Sequence, residues 1–220
     1  MPNHIQNYLE IIGHKKHVQD VLNAIKGEGC IDFNSFLPMP KEIRHVTAPV
    51  TIITKKEYDK QERQKELTEA PSFIGHRTGI TKAMQKDYLE RFGSDNWYDW
   101  ANQHWGTKWG CYAQQMVDIF EAGDQATAQM SFQTAWSGGF VAIQQLSERF
   151  RLVKFKLTYA DEDCGSNVGE FEFHKGGVIE DYVPACGSNE AMEIYFYCWG
   201  GEEDWEMVDG EWKWKDDAFE

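Results

Sequence analysis

The residues best suited to chemistry or binding lie in one tryptophan-rich segment. Four tryptophans fall within thirteen residues, with a histidine and a lysine between them. Tryptophan offers a large rigid surface and a polar N–H, and lysine binds anionic groups, so the segment is typical of a recognition surface. The alternative is that these rings cover one face of a sheet. The predicted binding residues here are Trp97, Trp100, His104, Trp105, Lys108 and Trp109, with Trp136 further along the chain.

A catalytic interpretation of this segment is weaker than a binding one. It would make His104 a general base oriented by Asp99, with Lys108 stabilising developing negative charge. Residues five positions apart do not share a helical face, and the sequence offers no evident nucleophile. We therefore assign no catalytic residue. A small-ligand-binding protein or enzyme with a site at this cluster stays as the alternative hypothesis.

Acidic charge is concentrated in the last sixty residues. The chain has 36 acidic and 22 basic residues, and positions 161–220 contain 18 of the acidic but only three of the basic ones. Such a region either keeps a protein soluble or faces a basic partner, and it disfavours direct contact with nucleic acid. We expect a protein partner, with a basic nucleic-acid-binding protein as the sharper form. In this chain, the residues predicted to contact the partner are Glu202, Glu203 and Asp204.

The sequence predicts no metal and no cofactor. Asp161 to Glu172 places acids at positions 1, 3 and 12 of a calcium loop, but Gly165 and Ser166 occupy positions 5 and 6. That loop needs a ligand at position 5 and glycine at position 6, so a hairpin loop is the better interpretation. Signatures of phosphate-binding loops, dinucleotide sites and nucleophile elbows do not occur in the sequence.

Composition points to the cytoplasm of a cell. Five cysteines without C-x-x-C spacing indicate reduced thiols. The sequence has neither an apolar run of membrane-spanning length nor an N-terminal signal pattern, so we expect no membrane contact. A homo-oligomer stays open as a third hypothesis.

Two segments are predicted to form β-α-β units. In the first, a strand at residues 8–12 precedes a helix with buried Val18 and Val21, and a strand at residues 30–36 follows. In the second, an alternating strand from Ala128 to Trp136 precedes a helix over 140–150 and a strand over 153–159. Between them, we expect a largely helical insertion at about residues 41–127, with helices around Tyr88 and Trp100.

Tandem β-α-β units predict an α+β protein with a ferredoxin-like, split β-α-β antiparallel sheet. We expect residues 1–160 to form this core with its insertion. Residues 161–220 are predicted to be an acidic β extension packed on the same domain, with strands over 168–174, 178–182 and 192–199. A hairpin turning at Asp209-Gly210 then pairs Val208 with Glu211 and Trp205 with Trp214.

Several segments together resemble the YubB ferredoxin-like family, whose members are encoded by bacteriophages and plasmids and have no settled function. The resemblance covers roughly residues 1–175. It implies a ferredoxin-like fold and an accessory role inside an infected bacterium, and it supplies no catalytic residues. The segments that carry it are Phe33-Asn34-Ser35-Phe36-Leu37-Pro38-Met39-Pro40, Trp97-Tyr98-Asp99-Trp100, Trp105-Gly106-Thr107-Lys108-Trp109, Thr134-Ala135-Trp136 and Tyr159-Ala160-Asp161-Glu162.

These observations favour a non-enzymatic binding protein that engages a host or viral protein. In the sharper form, the acidic strands imitate the phosphate array of DNA and inhibit a host defence protein. Fold alone does not decide between these functions, because ferredoxin-like sheets support many.

Overall fold

The structure is a computed structural model and describes residues 3–67 and 78–215. In chain order its elements are β1 (His4–His14), α1 (Lys15–Ile25), α2 (Phe33–Phe36), α3 (Lys55–Leu67), α4 (Lys82–Phe92), α5 (Trp97–His104), β2 (Tyr112–Ala122), β3 (Gln125–Ala135), α6 (Phe140–Arg149), β4 (Val153–Asp161), β5 (Val168–His174), β6 (Gly177–Tyr182), α7 (Asn189–Trp199), a 3-10 turn (Glu202–Asp204), β7 (Trp205–Val208) and β8 (Glu211–Trp214).

The main sheet of the described chain has six strands, all antiparallel, in the order β2-β3-β1-β4-β5-β6. Strands β1 to β4 and helices α1 and α6 follow one another along the chain as β1, α1, β2, β3, α6, β4. Within the sheet, β3 and β1 lie between β2 and β4. That succession and strand order are the split β-α-β arrangement predicted from the sequence. Strands β5 and β6 then extend the sheet beyond β4.

One face of the sheet forms the main core with α1 and α6. Alternate β1 residues Ile5, Leu9 and Ile11 are completely buried on this face. Phe140 of α6 meets Tyr159 of β4 edge to face, with ring centroids 4.8 Å apart. The period-two burial of the strands therefore fixes which side chains lie inside.

The opposite face is partly covered by α7. Ala160 and Val168 of the sheet pack with Ile194 and Cys198 of this helix, and Tyr8 lies against the cluster. Since Tyr8 and Leu9 are adjacent in a strand, they point to opposite faces, so α7 lies on the side away from α6. The helix thus forms a third, incomplete layer.

The insertion is a compact unit of its own, Leu37–His104, and the rest of the chain forms the other unit. Helix α4 begins where the Thr81 hydroxyl accepts from the Met84 N–H and ends at Gly93, which has φ 72°. The sequence predicted this helix. Helix α5 is also confirmed, and its capping side chain is Asn96, which accepts from the N–H groups of Tyr98 and Asp99.

The strand predicted at residues 30–36 is wrong. Residues 33–36 form the short helix α2, because the Asp32 carboxylate accepts from the Asn34 N–H and its carbonyl accepts from the Ser35 N–H. The Ile31 N–H is taken by the side chain of Gln114 from β2. The second strand of the fold is instead β2, which lies inside the range predicted as helical insertion.

Strand β2 has no clean alternation for a structural reason. Its pairing with β3 shifts between Tyr112 and Gln115 and again between Met116 and Asp118, and Ala113 has φ 47°. It is also an edge strand, so Ile119 and Phe120 are 44% and 54% exposed. Bulges and exposure on both faces remove the period-two signal.

The strand predicted at residues 192–199 is likewise wrong, because these residues form α7. The Ser188 hydroxyl caps this helix by accepting from the Ala191 N–H at 3.2 Å. Its buried apolar residues lie on more than one face of the helix, because it packs against both the sheet and the hairpin. Ile194 faces the sheet, and Phe196 meets Trp212 of the C-terminal hairpin with ring centroids 5.1 Å apart.

The predicted C-terminal hairpin and its register are confirmed. Val208 pairs with Glu211 and Trp205 with Trp214, as the two-residue turn requires. Asp209 and Gly210 both have positive φ, 55° and 84°, which is the signature of a type I′ turn.

Across the described residues, no helix is both long and apolar enough to cross a membrane.

Candidate functional site

A cavity of about 380 Å³ opens between α7 and the sheet face that this helix only partly covers. Its floor comes from β1, β4 and β5, one wall from α7, and one side from the end of β6. We call it the acidic cavity. Its lining residues are Glu10, Lys156, Thr158, Glu170, Tyr182, Glu190, Glu193, Ile194 and Tyr197.

The floor of the acidic cavity is set by strand register. Glu10 lies opposite Lys156, and Thr158 lies opposite Glu170, so these side chains share one face. The Lys156 ammonium is 3.2 Å from a Glu170 carboxylate oxygen, and the Thr158 hydroxyl donates to the other oxygen at 3.0 Å. Gln129 of β3 donates to Glu10 at 2.8 Å. The floor is therefore fixed by hydrogen bonds.

The wall of the acidic cavity follows from helical spacing. Glu190, Glu193 and Tyr197 lie at i, i+3 and i+7 of α7, which brings them to one face. The pKa of Glu190 is held below its usual range by hydrogen bonds from its own backbone N–H and from the Ser188 hydroxyl. Glu190 and Glu193 are both exposed, so their charges reach solvent at the cavity mouth.

Two tyrosines complete the acidic cavity. Tyr182 is 47% exposed and Tyr197 is 56% exposed. The Tyr197 ring also packs on Tyr8, with centroids 5.1 Å apart. Partial burial, and then the nearby charge of Glu10, raise the pKa of Tyr197, so its phenol is neutral at neutral pH.

The arrangement suits a cationic group. Four carboxylates line the acidic cavity against a single ammonium, which already contacts Glu170. Carboxylates make charge-assisted hydrogen bonds to guanidinium and ammonium groups, and tyrosine faces attract cations. An arginine or lysine side chain from another molecule is the ligand that this chemistry would recognise.

Three of the predicted tryptophans lie in the interior. Trp97 and Trp100 are 8% and 4% exposed within the inserted unit, and Trp105 is 2% exposed in the other unit. His104 stacks on Trp100 at 4.4 Å, and burial lowers the pKa of this histidine. These three tryptophan rings are therefore buried and are not part of an exposed surface.

The exposed part of the predicted cluster is smaller. The Lys108 ammonium lies 4.5 Å from the ring centroid of Trp136 and 4.8 Å from that of Trp109, which are cation–π distances. Trp136 is 44% exposed and has φ 69°, an uncommon conformation for a bulky residue. We call these three residues the Lys108 cluster.

Backbone hydrogen bonds hold the strained tryptophan of the Lys108 cluster. The Trp136 N–H donates to the Asn3 carbonyl at 3.1 Å, and Asn167 donates to the Trp136 carbonyl at 3.3 Å. On the preceding residue, Ala135, both backbone groups bond to the Thr107 hydroxyl. Strain that is fixed in this way is frequent where a side chain must be presented in one orientation.

The acidic residues predicted near the C-terminus lie elsewhere. Glu202, Glu203 and Asp204 form the 3-10 turn before the hairpin and do not line the acidic cavity. The Lys215 N–H donates to the Asp204 carbonyl, which fixes the turn to the hairpin end. The first two side chains are exposed and the third is half-buried.

Sequence reasoning missed the glutamates of the acidic cavity. A signal existed for α7, since Ser188 is a capping residue and Glu190, Glu193 and Tyr197 have helical spacing. Glu10 and Glu170 offered none, because only the sheet brings them together.

The loop after β4 is held by protein groups. Asp161 accepts from the amides of Asn3 and Asn167 at 3.0 Å each. Over residues 3–67 and 78–215, no group of three or more potential ligands is placed to hold a metal ion.

Burial raises the pKa of the Cys111 and Cys198 thiols to about 12, so both are neutral thiols at neutral pH.

The sheet topology and a matching family model both show a ferredoxin-like α+β domain, which confirms the predicted fold class. More particularly, residues 108–209 match the family model described as a ferredoxin-like domain in Api92-like protein. A crystal structure of the protein api92 from Yersinia pseudotuberculosis is similar at 11% identity, over 85% of this chain and 99% of that chain, with a TM-score of 0.41. No curated protein matches the sequence.

Proposed function

We propose that this protein is a non-enzymatic binding protein that engages a basic protein partner through the acidic cavity. The observation that carries the proposal is a cavity of about 380 Å³ with four glutamates and two tyrosines against one lysine. A partner's arginine or lysine entering it would gain charge-assisted hydrogen bonds and contact with an aromatic face.

The partner in this proposal is a host or viral protein, and its sharper form is a basic nucleic-acid-binding host protein. The concentration of 18 acidic residues in positions 161–220 supports that form, because a dense acidic surface resembles a phosphate array electrostatically. A phage or plasmid origin and a site of action in the bacterial cytoplasm belong to the same proposal.

The test compares two matched pairs of substitutions. Glu190→Gln with Glu193→Gln neutralises the wall of the acidic cavity, and Glu202→Gln with Glu203→Gln removes the same charge outside it. All four side chains are exposed, so the fold should be retained. Binding of a labelled arginine-rich peptide is measured by fluorescence anisotropy at low and moderate salt, with an acidic peptide as control.

We expect the first pair to weaken binding by about tenfold and the second pair by much less. Equal losses would assign binding to general acidity rather than to the cavity. Unchanged affinity in both variants would contradict the proposal as a whole.

A second candidate function is supported by the Lys108 cluster. An ammonium between two indoles, one of them exposed and held in a strained conformation, suits a small anionic ligand. Thermal stabilisation by a set of carboxylates and phosphates, compared between the native chain and Lys108→Gln, tests it. Stabilisation that persists in the variant would contradict this function.

A further inference from the structure

Strand β6 forms an open edge of the main sheet. It pairs with β5 on one side, and no strand of the described chain pairs with its other side. All six of its residues are exposed, including Val178 at 45% and Ile179 at 50%. An edge of this kind presents unpaired backbone N–H and C=O groups to another chain.

A row of charges runs across the sheet towards this edge. On the face of the acidic cavity, Glu10 lies opposite Lys156, Lys156 opposite Glu172, and Glu172 opposite Glu180. The signs alternate until the last step, where two carboxylates face each other. Like charges directly opposite in a sheet are destabilising. Lys154 contacts Glu172 at 3.6 Å, whereas within the described residues Glu180 has no cationic partner.

A parallel row connects the same edge to the acidic cavity. Thr158, Glu170 and Tyr182 lie opposite one another in successive strands, and all three line the cavity. A strand placed beside β6 would therefore put one side chain next to Glu180 and another next to Tyr182 at the cavity. The edge and the cavity form one continuous surface.

The charges select the occupant of this edge. A second copy of β6 would add Glu180 and Asp181 to an edge that already carries both of these acids, so self-pairing is disfavoured by charge repulsion. A basic strand would complete the alternating row instead. The other edge, β2, is less suitable because its two register shifts interrupt the backbone pattern, whereas residues 180–182 of β6 stay in register.

We infer that an extended, basic segment of the partner adds to the sheet beside β6, with a lysine or arginine opposite Glu180 and a neighbouring side chain entering the acidic cavity. The inference rests on the proposed function and specifies its partner's conformation. Backbone hydrogen bonds would supply affinity, and the alternating charges would supply selectivity.

The first experiment separates strand pairing from attraction between charges. A peptide in which arginine alternates with valine is compared with two analogues, N-methylated at the odd or at the even positions. An added strand offers only alternate N–H groups to its neighbour, so one analogue should bind about tenfold or more weakly and the other like the parent. Hydrogen exchange in residues 177–182 should slow when the parent peptide binds.

Each outcome has a distinct meaning. Parent-like binding by both analogues would overturn strand addition and leave the proposed function standing. Loss by both would contradict pairing along a single edge. Failure of the parent peptide to bind would count against the strand and the proposed function together.

The second experiment uses two adjacent acids as matched variants. Glu180→Lys reverses a charge on the cavity face, and Asp181→Lys makes the same change opposite Phe171 on the other face. We expect Glu180→Lys to weaken the arginine peptide about tenfold or more and to strengthen an analogue in which glutamate replaces arginine. Equal effects from the two variants would overturn the assigned register.

Discussion

The substitution Glu180→Lys should stabilise the folded protein while weakening binding of the basic peptide. In the native sheet, Glu180 lies directly opposite Glu172, so the substitution replaces a like-charge pair with an opposite-charge pair. Cross-strand pairs of this kind are worth about 0.2–1 kcal/mol. Because the Glu172 side chain is only 26% exposed, screening by solvent is incomplete, and we place the gain at about 0.5–1 kcal/mol.

The assay is thermal unfolding at low and at high salt. For a chain of this length, a gain of that size raises Tm by about 1–4 °C. At about 1 M salt, where the Debye length is about 3 Å, most of the gain should disappear. Asp181→Lys is the control, because Asp181 faces Phe171 and has no cross-strand carboxylate.

The reasoning would be refuted if Glu180→Lys lowered Tm, or if the control raised it equally. A gain that persists at high salt would also contradict an electrostatic origin. If the gain is observed with the expected loss of peptide binding, the native sheet retains an unfavourable contact at the surface that binds the partner.

Two further predictions concern stability. Gly139→Ala should destabilise the fold by about 1–3 kcal/mol in chemical denaturation, because the residue has φ 70° and its new Cβ would lie 2.9 Å from the Phe33 ring. The control is Gly123→Ala, which has φ 62° and open space around it and should cost about 1 kcal/mol. If the two substitutions cost the same, the clash with Phe33 does not contribute to the loss of stability at Gly139. Burial lowers the pKa of His104, so the unfolded chain binds protons more readily, and stability should fall as the pH drops below about 6.5. His104→Phe should make the free energy of unfolding fall less steeply between pH 7 and pH 5. If the pH dependence is unchanged in this variant, it arises from groups other than His104.

The features that the sequence predicted correctly depend on local patterns. The C-terminal hairpin is fixed by Asp209-Gly210, because that pair favours the positive φ angles of a type I′ turn and thereby sets every cross-strand partner. Helix α4 is fixed by its apolar spacing and Gly93. Strand β3 was visible because it is central and buried on one face, which preserves its alternation.

The candidate site was predictable only in part. The acidity of residues 161–220 was evident from composition. Lys108, Trp109 and Trp136 were predicted as binding residues, and the structure places the Lys108 ammonium within 4.8 Å of both ring centroids. The acidic cavity was not predictable, because its floor joins Glu10 to Glu170 through two strand pairings.

The sequence by itself determined the alternating strands, the capped helices, the final turn and the distribution of charge, since each depends on residues close together in the chain. The segment around residues 192–199 carried a helical signal in Ser188 and the spacing of its glutamates, but its apolar pattern also resembled a strand. The tertiary structure decided for the helix, because burial by both the sheet and the hairpin accounts for that pattern. It also decided that β2 follows the insertion, because bulges and an edge position hid that strand's period. The acidic cavity and the β6 edge likewise exist only once the sheet is assembled, because strand register alone brings distant carboxylates to one face.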